Sequence, residues 1–351
     1  MRLMHSGYPM KKILLLLASV FVMLGASAQD THFSQFYYSP LTMNPALTGN
    51  IEGTWRVGVN YRNQWGSISA PSVYATPSAF VDFRAFSGRF SGNALGIGML
   101  LLTDKAGDGQ LTTTSAMFSL AYHQALDNSG NFHLSAGGMA GWTQKGIDLT
   151  QLDFYDEFTG TGFSPGFASL DPVQNNSFAY TDVSGGVAFS GMISDYSRVT
   201  LGASVAHLSK PEETFYQGLD YAANEIGTRY QAHAAATIGM NNKVYFFPSA
   251  LYQLQSSAQE MVAGTAVGFN ISPSRYKVGT IVYGGAFYRV NDAVVPTVGM
   301  MMNGLQFGVS YDVTVSDLST ANASQGGFEV ALVYSAGKPS KRQKRQFCPR
   351  F

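Results

Sequence analysis

Charged side chains are scarce in this 351-residue chain, so the few that could do chemistry stand out. In the stretch WRVGVNYR, Arg56, Asn60 and Arg62 alternate with Val57, Val59 and Tyr61, which puts two guanidiniums and a carboxamide on one face of an extended strand. His123, His233, Asp312 and Glu329 fall on the polar faces of other alternating stretches. Such groups could line a conduit for an anionic solute. They could equally pair with one another as the polar filling of a closed interior, because a buried charge must be paired. Catalysis finds less support. Six histidines are dispersed with no pair at the i, i+4 spacing of a zinc motif. The single cysteine, Cys348, permits neither an internal disulfide nor a thiolate metal site. No G-x-S-x-G elbow is set on a strand–turn–helix, although a Ser/His pair assembled from separate strands remains an alternative. The acidic, aromatic stretch LDFYDEFTGTG (Leu152 to Gly162) lacks the ligand rhythm of a calcium loop. It reads instead as an exposed loop in which Phe154, Tyr155 and Phe158 grip a protein partner. No catalytic residue, metal or cofactor is expected.

The elements that must carry these residues are strands. From Leu305 the chain reads LQFGVSYDVTVS, with Leu305, Phe307, Val309, Tyr311, Val313 and Val315 on one side and Gln306, Gly308, Ser310, Asp312, Thr314 and Ser316 on the other. Comparable stretches recur about fourteen times between residues 54 and 336, each about 9 to 15 residues long, which suits a tilted membrane strand better than a strand of a soluble sheet. Only 13% of residues are charged, against roughly 25% in soluble domains, while 38 glycines, 19 tyrosines and 24 phenylalanines are present. With zero net charge there is no electrostatic footprint for nucleic acid. The fold expected is all-β: a transmembrane antiparallel up-and-down β-barrel whose surface partner is the lipid bilayer. Connections alternate in length, with SGRFSGN, DNSG, SDYS, Asn241-Asn242 and Asn303-Gly304 short, and Asp148 to Ala179 and Lys210 to Gly227 long. That parity places the long connections outside and both termini in the periplasm.

Four regions follow. Residues 1–28 read as a signal peptide, in which Lys11 and Lys12 precede the apolar run Ile13 to Leu24 and a small-residue cut after Ala28, with Met10 the better start. Residues 29–53 hold Pro40, Pro45, Gly49 and Gly53 among aromatics, a poor strand but a reasonable ordered insert that either plugs the lumen or extends into the periplasm. Residues 54–336 form the barrel. Residues 337–351 are a basic tail whose Lys341, Arg342, Cys348, Pro349, Arg350 and Phe351 are candidates for partner binding in the periplasm.

The stretch THFSQFYYSPLTMNPALTG (Thr31 to Gly49), followed by NYRNQW (Asn60 to Trp65), resembles the N-terminal hallmark of the PorP/SprF family. The likeness rests on Phe33, Ser34, Gln35, Phe36, Tyr37, Pro40, Asn44, Pro45, Arg62, Gln64 and Trp65. Downstream it continues through HLSKP with His207 and Pro211, FPSALYQLQ from Phe247, FYRVNDAV with Arg289 and Asp292, SYDVTVSDL with Asp312, GGFEVALVY with Glu329, and the terminal CPRF. The resemblance implies an integral outer-membrane protein of type IX secretion. It also implies partners among the periplasmic and outer-membrane components of that machinery, and a large secreted adhesin with a C-terminal sorting domain. A solute channel or lipophilic-substrate transporter is the alternative.

Arginine at Val309 or Val313 should impair assembly more than arginine at Ser310 or Thr314, because a charge on the lipid face costs about 2–4 kcal/mol near the bilayer midplane. Heat-modifiable barrel yield on electrophoresis measures the difference. Equal effects would mean that the register is displaced by one residue.

Overall fold

Alternation of apolar and polar residues forces these stretches into strands that show one face to lipid and one to an enclosed interior, and a sheet in lipid must close to satisfy its edges. The computed structural model describes residues 30–66, 74–90, 92–107, 109–152, 154–162, 176–215, 224–240, 242–272 and 279–337. It is a closed antiparallel barrel of fourteen strands. In chain order these are β1 (Trp55–Gln64), β2 (Ala75–Phe90), β3 (Asn93–Ala106), β4 (Leu111–Ala125), β5 (Phe132–Gly146), β6 (Ser177–Ser194) and β7 (Ser197–Ala206). After a long connection come β8 (Arg229–Gly239), β9 (Val244–Phe246 with Ser249–Gln255), β10 (Ala258–Asn270), β11 (Ile281–Arg289), β12 (Ala293–Met302), β13 (Leu305–Thr314) and β14 (Gln325–Ala336). Each strand pairs with its sequence neighbour, and β14 returns to β1 with Trp55 opposite Ala336 and Arg62 opposite Glu329. Among the described residues, no helix is long and apolar enough to cross a membrane.

Register follows the alternation. In β1, Val57, Val59 and Tyr61 are exposed while Asn60 and Arg62 are buried. In β13, Phe307 and Tyr311 face out while Ser310, Asp312 and Thr314 are buried. The outward set, with Phe83, Leu101, Phe118, Val187 and Leu332 among its members, forms the apolar belt required of a lipid-facing wall.

One turn differs from that read in the sequence. The backbone of β2 continues through SGRF to Phe90, which pairs with Asn93, so the turn is much tighter than SGRFSGN suggests. The stretch from Val244 to Gln255 is split at Phe247–Pro248, because proline has no N–H to donate to the ladder.

The connections divide between two mouths. One mouth carries 65–74, 107–110, 147–176, 207–228, 256–257, 290–292 and 315–324; the other carries 91–92, 126–131, 195–196, 240–243, 271–280 and 303–304. The two longest share the first mouth, although the ten-residue connection 271–280 lies among the short turns of the second.

A barrel of fourteen strands is too wide for its own side chains to fill. Residues 30–53 lie within it. They form three single turns, Phe36–Tyr38, Pro40–Met43 and Pro45–Leu47, the last capped by Asn44, whose Oδ1 accepts from the Ala46 N–H at 2.9 Å. Phe36, Tyr37, Tyr38 and Leu41 are buried against Tyr283, Phe287, Tyr245 and Phe247 of the wall. The wall makes room with glycine: a Cβ on Gly137 would stand 2.6 Å from the Ala46 nitrogen, and one on Gly96 would stand 1.9 Å from the Thr48 carbonyl oxygen.

Gly137→Val should therefore lower the yield of heat-modifiable barrel, with an overpacking penalty of about 1–3 kcal/mol, because backbone and not a flexible side chain stands in the way. Gly138→Val is the control, since a Cβ there meets nothing closer than 3.8 Å. Similar losses in the two variants would contradict the packing described.

Candidate functional site

The buried charges gather around the lumen segment. Arg62 (β1) lies 2.8 Å from Asp312 (β13) and 3.2 Å from Glu329 (β14), and Arg289 (β11) lies 3.0 Å from the same Asp312 and 2.8 Å from Asp292 in the following turn. Ser34 sits at the centre. Its backbone N–H and that of Gln35 each donate to a different oxygen of Glu329 at 2.8 Å, its hydroxyl donates to Asp312 at 2.8 Å, and both Arg62 and Arg289 donate to its Oγ. The Gln35 amide reaches the Glu329 carbonyl at 3.2 Å. Extended strands hold these side chains on one face at period two, and closure brings β1 and β14 together, so groups distant in sequence share one layer. Asp312 and Glu329 each accept from three donor groups, which is the kind of pairing that lets buried charge be tolerated.

A second cluster lies at the long-connection mouth. Asp30 accepts from His207 at 2.5 Å and pairs with Arg229 at 3.1 Å, its N–H donates to Gln255 at 2.9 Å, and His207 also contacts Asp182 at 2.9 Å. Burial opposes the charged form of His207, but its hydrogen bonds to Asp182 and Asp30 prevail and raise it to about 9. Burial likewise opposes ionisation of Asp30, yet Arg229 and His207 hold its carboxyl well below the usual range. Nearby, His32 lies 3.0 Å from Glu260, which lies 3.9 Å from Arg289 and so links this cluster to the first.

Toward the other mouth, His123 donates from Nε2 to the Thr48 carbonyl at 2.8 Å, and its Nδ1 lies 2.7 Å from Ser135. Thr48 and Ser119 hydroxyls meet at 2.6 Å. Asp82 takes the Arg56 guanidinium at 2.7 and 2.9 Å and the Gly49 N–H at 2.7 Å. Asn44 donates to the Val187 and Ala203 carbonyls and lies 3.1 Å from His233.

The structure thus brings together most of the residues singled out in the sequence. Phe33, Ser34, Gln35, Phe36, Tyr37, Pro40, Asn44 and Pro45 are buried in the lumen segment, and Arg62, His207, Arg289, Asp292, Asp312 and Glu329 hold it or its holders. Gln64 and Trp65 stand apart at the rim, where Trp65 packs edge-on to Tyr74, and Pro211 accepts from Ile226 in the connection after β7. Phe154, Tyr155 and Phe158 lie in the connection after β5, with Tyr155 94% exposed. Lys341, Arg342, Cys348, Pro349, Arg350 and Phe351 lie outside the described residues, as does the signal-peptide stretch. Asp30, Asp82, Asp182, Arg229 and Glu260 were not singled out in the sequence. Their strand parity could have marked Asp82, Asp182 and Glu260 as inward, but nothing local pairs them with residues 30–49.

Residues 30–53 add a crossing that strand parity does not count: Asp30 lies at the long-connection mouth, whereas Thr54 donates to Ala336 at the opposite one. Among the described residues, no group of three or more His, Cys, Asp or Glu is arranged to hold a metal ion.

Most of the hallmark residues form or seat the lumen segment, and comparison with known proteins decides what they belong to. The model of a family described as type IX secretion system membrane protein PorP/SprF matches residues 25–334. The chain belongs to that family. As a PorP/SprF protein it is an outer-membrane β-barrel of type IX secretion. A comparison with curated protein sequences finds no match. Among solved structures, the toluene transporter TbuX of Ralstonia pickettii is 11% identical, with 84% of this chain and 92% of that one covered at a TM-score of 0.44. The CymD monoaromatic hydrocarbon channel is 10% identical, with 90% and 96% covered at 0.46, and the KdgM porin 6% identical, with 80% and 98% covered at 0.38.

The mouth cluster has a pH signature. A histidine raised on folding stabilises fully below its unfolded pKa near 6.5, and that contribution is lost as pH rises through about 9. The thermal midpoint of the barrel in detergent should therefore fall between pH 7 and 10, and His207→Gln should flatten that part of the profile. A variant with an unchanged slope would show that His207 is not the group responsible.

Proposed function

We propose that this PorP/SprF barrel works in type IX secretion as a closed membrane scaffold, not as the route of the secreted substrate. The observation that carries the reading is the filled lumen: segment 30–53 runs from mouth to mouth and is tied to the wall at three levels, by Asp30, by Ser34 and Gln35, and by Thr48 and Gly49. A protein in transit would have to displace the segment and break these hydrogen bonds, at about 1–3 kcal/mol for each buried group left unsatisfied and more for a charged one. The working surfaces are then the two mouths. Loop 147–162, with Tyr155 and Phe158 exposed, faces out and meets a partner at the cell surface, for which a large adhesin with a C-terminal sorting domain is the candidate. The basic tail after Gly337 reaches the periplasmic components of the machinery. The same occupancy counts against a solute channel or a lipophilic-substrate transporter, and the pairing of Arg62 and Arg289 with Asp312, and of Arg62 with Glu329, commits these charges to one another and not to a passing ion.

Affinity purification of the tagged chain from native outer membranes tests the reading, with recovery of type IX components or of one large adhesin expected. A monomer that copurifies with nothing and conducts ions in planar bilayers would favour the channel instead. Deleting Lys338 to Phe351 should leave heat-modifiable barrel intact and reduce secretion of the cargo; normal secretion would remove the tail from the proposal.

A further inference from the structure

The charge layer and the path of the lumen segment together constrain how the barrel can form. Arg62 and Glu329 are direct partners across the β1–β14 seam, the last pairing needed for closure, and both are almost fully buried. Glu329 is satisfied from the lumen side by two backbone N–H groups that belong to Ser34 and Gln35. Arg62, Arg289 and Asp312 converge on Ser34 as well. Without the segment, Glu329 would lose two of its donors and Asp312 the Ser34 hydroxyl, so the charge layer beside the seam is complete only with the segment in place.

The segment also spans the lumen. It is held at one mouth through Asp30, and it continues into β1 at the other through Gly53 and Thr54. Between these points its backbone lies against Gly137 and Gly96 at distances that leave no room for a single added methyl group. Passing Phe36, Tyr37 and Tyr38 down that path after closure would require the wall to open.

We propose that residues 30–53 are an internal template for barrel closure: the segment seats against the wall first, and its Ser34–Gln35 backbone then completes the charge layer that lets β1 and β14 pair. The inference rests on this geometry alone and does not depend on the secretion role.

Two disulfide traps in the full chain, each in a Cys348→Ser background, resolve the order. Thr48→Cys with Ser119→Cys replaces a hydroxyl pair at 2.6 Å and reports seating of the segment on β4. Val59→Cys with Leu332→Cys joins register partners on the lipid side and reports closure of the seam. Urea-unfolded protein is diluted into detergent micelles, oxidised in brief pulses at successive times, quenched, and resolved without reductant. The seating disulfide should form no later than the seam disulfide. Ser34→Pro, which removes an N–H donor to Glu329, should slow the seam disulfide tenfold or more. Gly137→Val lies far from the seam but obstructs the segment's seat, and it should delay both. A seam disulfide that forms first, or that keeps its rate in either variant, would overturn the proposal.

Discussion

Everything else in this structure depends on a constraint of size. Strands in lipid must close on themselves to satisfy their backbone groups, and fourteen of them enclose more space than their own inward side chains can fill. The inward faces nonetheless carry Arg56, Arg62, Arg289, Asp82, Asp312 and Glu329, and such groups persist in a closed interior only when fully paired. Segment 30–53 meets both needs. Its aromatics occupy the middle of the lumen against Tyr283 and Phe287, and its backbone N–H groups and hydroxyls complete the charge layers above and below.

The division of labour along the segment follows from its composition. Ser34, Gln35, Thr48 and Gly49 are small or polar residues that meet charged or hydroxyl-bearing wall positions, while Phe36, Tyr37, Tyr38 and Leu41 meet wall aromatics and aliphatics. The wall answers in kind, with glycine where the segment's backbone passes Gly96 and Gly137. The high glycine content is therefore partly a matter of fit, since Gly96 and Gly137 are places where any side chain would displace the insert. Prolines at 40 and 45 each start a short turn, where a missing N–H costs nothing.

A filled, ion-paired lumen also shapes the functional reading. With the interior holding the segment, the proposed role places interaction with other components at the two mouths, and these differ in kind. One carries the two longest connections, with exposed aromatics and the Asp30–His207–Arg229 cluster; the other carries mostly tight turns and the end of β14. This asymmetry suits a scaffold that meets different partners on its two sides.

The sequence by itself determined the barrel, its strand number and the identity of each face, because side-chain direction in a strand has period two and needs no tertiary information. It also marked the residues now found around the lumen segment, through the family hallmark that runs from Phe33 to Pro45 and reappears at Arg62, Arg289, Asp312 and Glu329. Tertiary structure alone decided what those residues do. Whether Glu329 faces Arg62 depends on the seam register between the first and last strands, which are separated by most of the chain. The pairing of Asp30 with His207 and Arg229 depends on the segment traversing the whole lumen. That traverse escaped strand parity because it is made of short turns without alternation, so counting strands could not register it as a crossing. Ladder periodicity is local and legible, whereas the course of an irregular chain through a closed space is set by the walls that surround it.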